Sequence, residues 1–172
     1  MGRGYRAEHT LVLIRHAKSD WSANVSDRQR PLNRRGQRQA PQSGRWLAEN
    51  LQPIELAVVS PAQRARSTWE LVAAELPDAP RTTVDERMYT FDARGLLPII
   101  HELADDLGTV ALVGHNPAME ELASHLTGSW VNMPTSCVAV IGLSGPWSDC
   151  GADAPHPGEL LAHGRPPGEA PA

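Results

Sequence analysis

Four short apolar segments recur along the chain, and none of them alternates cleanly with polar residues. They are rich in Val, Leu and Ile, and they cover residues 10–14, 56–59, 109–113 and 137–143. Continuous apolar runs of this length are typical of strands buried on both faces, as in parallel or mixed sheets. Within the Pro- and Gly-rich C-terminal region, residues 159–163 predict one further strand.

Helical patterns lie between these strands. Asn33 is a predicted N-cap for a helix that runs to about residue 51. Ser60 and Pro61 place an N-cap residue and a first-turn proline before a second helix, which runs to about residue 76. Two more helices are predicted over residues 96–107 and 117–126.

Strands that alternate with helices predict an α/β fold. For a chain of 172 residues we expect a single domain, built as a three-layer α/β/α sandwich around a mostly parallel central sheet. We expect this domain to cover residues 8–164, with disordered tails at 1–7 and 165–172.

Composition removes several classes of function. The longest apolar run has five residues, and the N-terminus lacks the apolar core of a signal peptide, so neither a membrane span nor secretion is expected. The two cysteines, Cys137 and Cys150, exclude a disulfide framework and favour a cytoplasmic location. His and Cys residues show no metal-ligand spacing, so we expect no metal and no cofactor. The expected oligomeric state is a monomer or a weak dimer.

The charge is unevenly distributed in a chain of net charge −4. Residues 1–50 hold ten Lys and Arg against four Asp and Glu, whereas the rest holds six against sixteen. This asymmetry fits an anionic ligand bound near the N-terminal elements, but from charge alone a solvated basic loop is the preferred interpretation. Nucleic acid is not an expected partner, because the protein is acidic overall and its arginines are not interleaved with aromatic residues.

Polar signals follow three of the four apolar runs. They are RHAK at residues 15–18, SPAQRA at 60–65 and GHNP at 114–117. In open α/β sheets ligands bind at the carboxyl ends of the strands, so these segments are expected to converge on one site.

The side chains in these segments suit phosphoryl transfer. Arg15 and Arg64 offer planar sets of donors that match phosphate oxygens. His16 can attack phosphorus through one ring nitrogen if a backbone carbonyl holds the other as N–H. His115 can donate to a phosphate oxygen that gains charge, and Asn116 begins a helix whose N-terminus favours anions.

The ordered set RHAK, SPAQRARST and GHNP resembles the histidine phosphatase superfamily, which also contains the phosphoglycerate mutases. The stretch DRQRPLNRRG at residues 27–36 is similar to the SixA-type phosphohistidine phosphatase branch, and the resemblance covers roughly residues 11–143. One departure is Ala17, which stands where the family usually has glycine and therefore demands an ordinary backbone conformation.

The resemblance implies a metal-independent phosphohydrolase that works through a phosphohistidine intermediate. His16 would be the nucleophile, and Arg15, Arg64 and His115 would complete the phosphate pocket. The implied substrate is phosphohistidine on a protein. Two alternatives remain open: a phosphatase of small sugar or nucleotide phosphates in the same superfamily, and a non-catalytic phosphate-binding regulatory module.

The sequence does not decide which carboxyl group is the proton donor. Many members of the superfamily use a carboxyl group at the place that Glu86 occupies, and Asp27 is the rival candidate unless it only braces Arg30. A phosphohistidine substrate would need no strong acid, because its leaving imidazole has a reference pKa near ~6.5. Lys18 and Trp21 are expected at the pocket mouth, where Lys18 adds positive charge and Trp21 packs or lines the opening.

Overall fold

Six strands form one mixed sheet in the computed structural model, which describes residues 8–151 and 158–165. Apart from Arg165, the predicted tails lie outside these described residues. The strands are β1 (His9–Arg15), β2 (Leu56–Val59), β3 (Arg81–Val84), β4 (Thr109–Gly114), β5 (Val138–Leu143) and β6 (Gly158–Gly164).

The sheet has the strand order β3-β2-β4-β1-β5-β6. The first four strands in this order pair in parallel, whereas β5 runs antiparallel to β1, and β6 antiparallel to β5. The prediction of a mostly parallel sheet is therefore confirmed. Because β1, β2 and β4 are neighbours and run in one direction, the segments that follow them emerge at the same edge of the sheet.

Four α-helices cover the two faces of the sheet within the described residues. They are α1 (Arg34–Asn50), α2 (Gln63–Ala73), α3 (Leu97–His101) and α4 (Ala118–Thr127). None of them is long and apolar enough to cross a membrane.

Alternate residues of the central strand belong to two separate cores. Leu11 and Leu13 pack in the core that also holds apolar residues of α3 and α4. Val12 and Ile14 pack in the core beneath α1 and α2. Since successive side chains of a strand point to opposite faces, a strand with a core on each side must be apolar at every position. This arrangement confirms the predicted α/β/α layers.

Strand β3 was absent from the predicted set. Its sequence is RTTV, and all four residues are exposed, because β3 is the edge strand next to β2. An exposed edge strand requires no apolar run, so hydrophobicity gives no signal for it.

Two helix boundaries differ from prediction. Helix α2 begins at Gln63 rather than at Pro61, because the Ser60 hydroxyl is bonded to His115 and Ala62 is still extended. Helix α3 ends at His101 rather than near residue 107. Beyond it, Asp105 accepts hydrogen bonds from the Trp147 backbone N–H and from His9, which commits this segment to tertiary contacts.

Candidate active site

A cavity of about 290 Å³ opens at the carboxyl ends of β1, β2 and β4. It gathers eight of the nine predicted site residues, which lie up to a hundred residues apart in the chain. These eight are Arg15, His16, Lys18, Trp21, Asp27, Arg64, His115 and Asn116. The other lining residues are Ser19, Arg30, Phe91 and Thr135.

His16 follows directly after β1 and is 7% exposed. Its backbone N–H donates to the Gly114 carbonyl, which ties the end of β1 to the end of β4. Its Nδ1 lies 2.8 Å from the Ala17 carbonyl oxygen. A carbonyl can only accept, so Nδ1 carries the proton and Nε2 keeps its lone pair. A neutral imidazole held in this tautomer is equipped to act as a nucleophile.

Ala17 fits the position at which the family has glycine. It is fully buried, and its φ is not among the positive values of the described residues. Its N–H donates to the Thr68 hydroxyl at 2.9 Å, while its carbonyl accepts the hydrogen bond from His16 Nδ1–H. An L-residue is accommodated here because the loop does not require a left-handed conformation.

Two buried or half-buried arginines approach His16 from different elements. Arg15, at the end of β1, donates from Nη1 to the Met133 carbonyl at 3.0 Å. Arg64, in the first turn of α2, is 2% exposed and donates to the Asp27 carbonyl at 2.6 Å and to its carboxylate at 3.0 Å. Both guanidinium groups are thus held in place by acceptors on loops around the cavity.

His115 receives its orientation from Ser60. The Ser60 Oγ lies 2.7 Å from His115 Nε2 and also accepts the Ala62 N–H. The Ser60 hydroxyl proton has no other acceptor among the described residues, so it donates to Nε2 and leaves the ring proton on Nδ1. The His115 ring lies 5.2 Å from the His16 ring, centroid to centroid.

Unpartnered buried donors are concentrated at this cavity. Among the described residues, six buried side-chain polar atoms have no hydrogen-bond partner, and four of them belong to residues that line the cavity. These four are Nε of Arg15, Arg30 and Arg64, and Nδ1 of His115. Buried donors without acceptors are costly, so a cluster of them indicates a site for an acceptor-rich ligand such as phosphate.

Both histidines are electrically neutral at physiological pH. Burial lowers the pKa of His16 to about 3, although the hydrogen bond to the Ala17 carbonyl opposes the shift. Burial also lowers the pKa of His115 to about 4, and the charge of Arg64 adds to this effect. The positive charge of the cavity therefore comes from its arginine and lysine side chains and not from the two imidazoles.

Asp27 links two arginines and a tyrosine. Its carboxylate lies 3.0 Å from Arg30 and 3.0 Å from Arg64, and it accepts a hydrogen bond from the Tyr89 hydroxyl. Burial favours the neutral acid, but the hydrogen bonds from Tyr89, Arg30 and Arg64 outweigh it and hold the pKa of Asp27 well below its usual range. Asp27 is therefore ionised and acts as an acceptor in this arrangement.

The mouth of the cavity carries aromatic and polar side chains. Trp21 is 74% exposed, and its ring stacks on the Arg30 guanidinium at 3.6 Å. Phe91 is half exposed and packs near the His115 ring. Lys18 is exposed, and Asn116 donates from its side chain to the Met133 carbonyl at 2.7 Å. Asn116 thus helps to hold the same carbonyl that anchors Arg15.

Glu86 is the predicted site residue that does not line the cavity. It is exposed and pairs with Arg28 at 2.6 Å, and this hydrogen bond lowers the pKa of Glu86. Arg28 in turn stacks on the Tyr89 ring, 4.7 Å from its centroid. The structure therefore places Glu86 in a surface ion pair beside the site.

Tyr89, Phe91 and Arg30 are among the cavity-related side chains that had no predicted role of their own. Tyr89 and Phe91 follow β3, the strand that the hydrophobic pattern did not show, so their convergence with the other strand ends was not expected. Arg30 stands in the DRQRPL stretch, but the sequence indicated it only as a partner of Asp27. The signal that could have found Arg30 is its position within that motif.

The sequence comparison identifies the family. The family model of the histidine phosphatase superfamily (branch 1) matches residues 11–90, slightly less than half of the chain, and this segment holds RHAK and SPAQRARST. The chain belongs to the histidine phosphatase superfamily. It is also 33% identical over 148 residues to the uncharacterized protein ML1117 of Mycobacterium leprae, covering 78% of this chain and 89% of the relative.

Solved structures place this histidine phosphatase near the SixA type. A structure assigned as phosphohistidine phosphatase SixA from Nakamurella multipartitia is 26% identical, with a TM-score of 0.77, covering 91% of this chain and 95% of the other. The mycobacterial glucosyl-3-phosphoglycerate phosphatase Rv2419c shares the fold at 17% identity, with a TM-score of 0.62, covering 78% and 90%. The chain is thus a phosphatase with the phosphoglycerate mutase-like fold.

No group of three or more His, Cys, Asp or Glu side chains is positioned to hold a metal ion within residues 8–151 and 158–165. The site described above is built from arginines and histidines.

Proposed function

We propose that this phosphatase hydrolyses phosphohistidine on a protein, with His16 as the transient phosphoryl acceptor. The observation that carries the proposal is the His16 ring itself, neutral, with Nδ1 bonded to the Ala17 carbonyl, in a cavity shared with two arginines and His115. Such a ring presents an unprotonated Nε2 to an anion that the arginines hold.

The proposed reaction has two displacements. In the first, Nε2 of His16 attacks phosphorus and the phosphorus–nitrogen bond of the substrate breaks; the substrate ring, protonated from solvent on its other nitrogen, leaves as neutral imidazole. In the second, water attacks phosphorus on His16, the new phosphorus–nitrogen bond breaks, and inorganic phosphate leaves with the two protons of the water. His16 is then neutral again. Arg15 and Arg64 hold the phosphoryl oxygens in both steps, where positioning and charge stabilisation supply most of the catalysis.

His115 is proposed to act as a neutral donor. Because Ser60 donates to its Nε2, the free Nδ1–H is the group that can bond a phosphoryl oxygen as charge develops there. Ser60 in this scheme is a positioning residue, since it acts on His115 and not on the substrate.

The carboxyl groups near the site favour a substrate with a good leaving group. Asp27 is ionised and bound to Arg30, Arg64 and Tyr89, while Glu86 lies outside the cavity in an exposed pair. Neither is arranged as a protonated acid near neutral pH. The leaving imidazole of phosphohistidine, with a reference pKa near ~6.5, needs less help from an acid than the alkoxide of a phosphate ester.

The rim of the cavity suits a macromolecular substrate. Trp21 and Phe91 are exposed at its mouth, and exposed aromatic residues are enriched where proteins contact other proteins. We further propose that the protein acts in the cytoplasm as a monomer or weak dimer. Its two cysteines are both free and buried, which suits a reducing compartment.

A small-molecule phosphatase is the second candidate. The shared fold of the glucosyl-3-phosphoglycerate phosphatase favours it, because that protein is named for a small phosphomonoester. A purely phosphate-binding module is the third, and it would bind phosphate without turning over any substrate.

Steady-state hydrolysis of matched substrates tests the proposal. A phosphohistidine peptide is compared with a panel of sugar and nucleotide phosphates, using wild-type protein and His16→Gln. We expect the highest kcat/KM for the phosphohistidine peptide and no turnover by His16→Gln. A higher kcat/KM for a phosphomonoester would contradict the substrate assignment, and turnover by His16→Gln would contradict the nucleophile.

A further inference from the structure

The first half of the chain carries a cluster of arginines, and several of them do not line the catalytic cavity. Residues 28–48 contain six arginines and no acidic residue, although the protein as a whole has a net charge of −4. Arg28 pairs with Glu86, Arg30 lines the cavity, and Arg45 pairs with Glu75. The remaining three, Arg34, Arg35 and Arg38, form what we call the α1 arginine patch.

The α1 arginine patch lies on the outer face of α1. Arg38 is four residues after Arg34 and three after Arg35, so the three share one side of the helix. The buried side is formed by other residues, among them Gly36 and Ala40. All three arginines are exposed, and none forms a salt bridge within the described ranges.

The patch is anchored next to the cavity mouth. The Asn33 backbone N–H, one residue before Arg34, donates to the Lys18 carbonyl at 2.9 Å, and Lys18 lines the cavity. Gly36 packs so closely on the Lys18 backbone that any side chain there would collide with it. The first turn of α1 therefore rests on the cavity rim, and the arginines continue the positive charge of Lys18 outward.

Grouped like charges on one helix face repel each other and lower helix stability. Some other exposed arginines are neutralised locally, as Arg87 is by Asp85 and Glu102, whereas Arg66 and Arg81 are exposed on separate elements without a salt bridge in the described ranges. A trio of arginines grouped on one helix face beside an active site is better explained by a binding role than by stability.

We propose that the α1 arginine patch docks an acidic surface next to the phosphohistidine of the substrate protein. This inference rests on the proposed function, and it adds the chemistry of the partner. Outside residues 1–50 the chain carries ten more acidic than basic residues. An acidic partner is therefore attracted at this face and repelled elsewhere, which orients it toward the cavity during encounter.

Two synthetic phosphohistidine peptides test the docking surface. One has the phosphohistidine flanked by Asp and Glu, and the other has Gln at the same positions. For the wild-type protein at low ionic strength we expect kcat/KM about tenfold higher for the acidic peptide, a modest value for electrostatic steering. The advantage shrinks as salt is added, because screening weakens exposed charges.

Charge reversals locate the effect. Arg34→Glu, Arg35→Glu and Arg38→Glu are each compared with Arg81→Glu, which makes the same charge change at the start of β3. The start of β3 lies at the amino ends of the parallel strands, whereas the cavity lies at their carboxyl ends. We expect each patch variant to lower the advantage of the acidic peptide, the triple variant to abolish it, and Arg81→Glu to keep it. The neutral peptide reports any damage to the cavity itself.

Each outcome decides the proposal. Equal kcat/KM values for the two peptides in the wild-type protein, or an advantage that survives the triple variant, would overturn it. If the protein hydrolyses neither peptide, the proposed function is overturned instead. The docking role of the α1 arginine patch is then tested by measuring the binding of the unphosphorylated acidic peptide by fluorescence anisotropy. Tighter binding of a single-stranded oligonucleotide than of the acidic peptide would reassign the patch to nucleic acid.

Discussion

The Ser60 hydroxyl lies 2.7 Å from Nε2 of His115, in a fully buried position directly after β2. This contact joins the ends of two neighbouring strands and fixes which ring nitrogen of His115 carries the proton. The Ala17 carbonyl fixes the proton of the other histidine in the same way, so both rings hold the Nδ1–H tautomer. They differ at Nε2, which is free on His16 and occupied by the Ser60 hydroxyl on His115.

Replacing Ser60 with Ala is expected to lower kcat by about ten- to a hundredfold. The change leaves a buried acceptor without its donor, which costs about 1–3 kcal/mol, and it releases the tautomer of His115. Nitrogen-15 shifts of the His115 ring measure the tautomer alongside kcat. Ser43→Ala is the matched control, because Ser43 is an equally buried serine that does not line the cavity. Unchanged ring shifts together with unchanged kcat would contradict the assigned role of Ser60.

Lowering the pH from 6.5 to 4.5 is expected to reduce the free energy of unfolding. In the folded protein burial lowers the pKa of His16 to about 3 and that of His115 to about 4, whereas unfolded histidine titrates near 6.5. The unfolded chain therefore binds more protons in this window, so stability is lost as pH falls, by about 1.4 kcal/mol per pH unit for each histidine.

Urea unfolding across this pH range measures the slope, and NMR titration of the ring protons measures both pKa values directly. His16→Gln and His115→Gln should each reduce the slope. Protonation of either ring near pH 6.5 in the folded protein would show that the site is more hydrated than its burial indicates.

Much of the fold follows from the apolar runs, for a physical reason. Strands buried on both faces, such as β1 with Leu11 to Ile14, must be apolar throughout, and this makes them visible in the sequence. The same reason explains the site, because Arg15 ends such a strand and His16 and His115 come directly after one. Parallel neighbours bring their carboxyl ends together, so the convergence of these residues could be predicted without knowing any contact.

The parts that could not be predicted depend on features that leave no pattern in the sequence. Strand β3 is exposed at all four positions, so its apolar signal is absent, and Tyr89 and Phe91, which follow it, were not placed at the cavity. The orientation of the Ser60 side chain could not be predicted from the sequence either. Its position before Pro61 is typical of an N-cap, and only the tertiary contact with His115 shows that the hydroxyl is used elsewhere.

Asp27→Asn is expected to lower kcat/KM by about ten- to a hundredfold without changing the shape of the pH–rate profile above pH 5. Asn cannot hold Arg30 and Arg64 with a full charge, so both guanidinium groups lose their fixed positions, and small misplacements are costly in catalysis. The pH–rate profile separates positioning from proton donation. Loss of an alkaline limb in Asp27→Asn would make Asp27 the acid. Asp85→Asn, which alters a carboxylate paired with Arg87 outside the cavity, is the control.

Glu86→Gln is expected to leave kcat/KM for a phosphohistidine peptide within about twofold of the wild-type value. The side chain is exposed and its ion pair with Arg28 is on the surface, where such pairs contribute little. The same kinetic assay on an alkyl phosphate is more sensitive to the loss of a proton donor, because an alkoxide leaving group needs an acid. A large loss on both substrates would assign Glu86 to the chemistry.

The proposed mechanism depends on a phosphoryl group carried by His16, and intact-protein mass spectrometry after an alkaline quench detects that group. The wild-type protein is mixed with a phosphohistidine peptide and quenched within one turnover, under conditions that preserve phosphohistidine. The predicted result is one added phosphoryl group, mapped to His16, lost on acid treatment and absent in His16→Gln. Turnover with a phosphoryl group mapped to another residue, or with none formed at any time within the turnover, would contradict it.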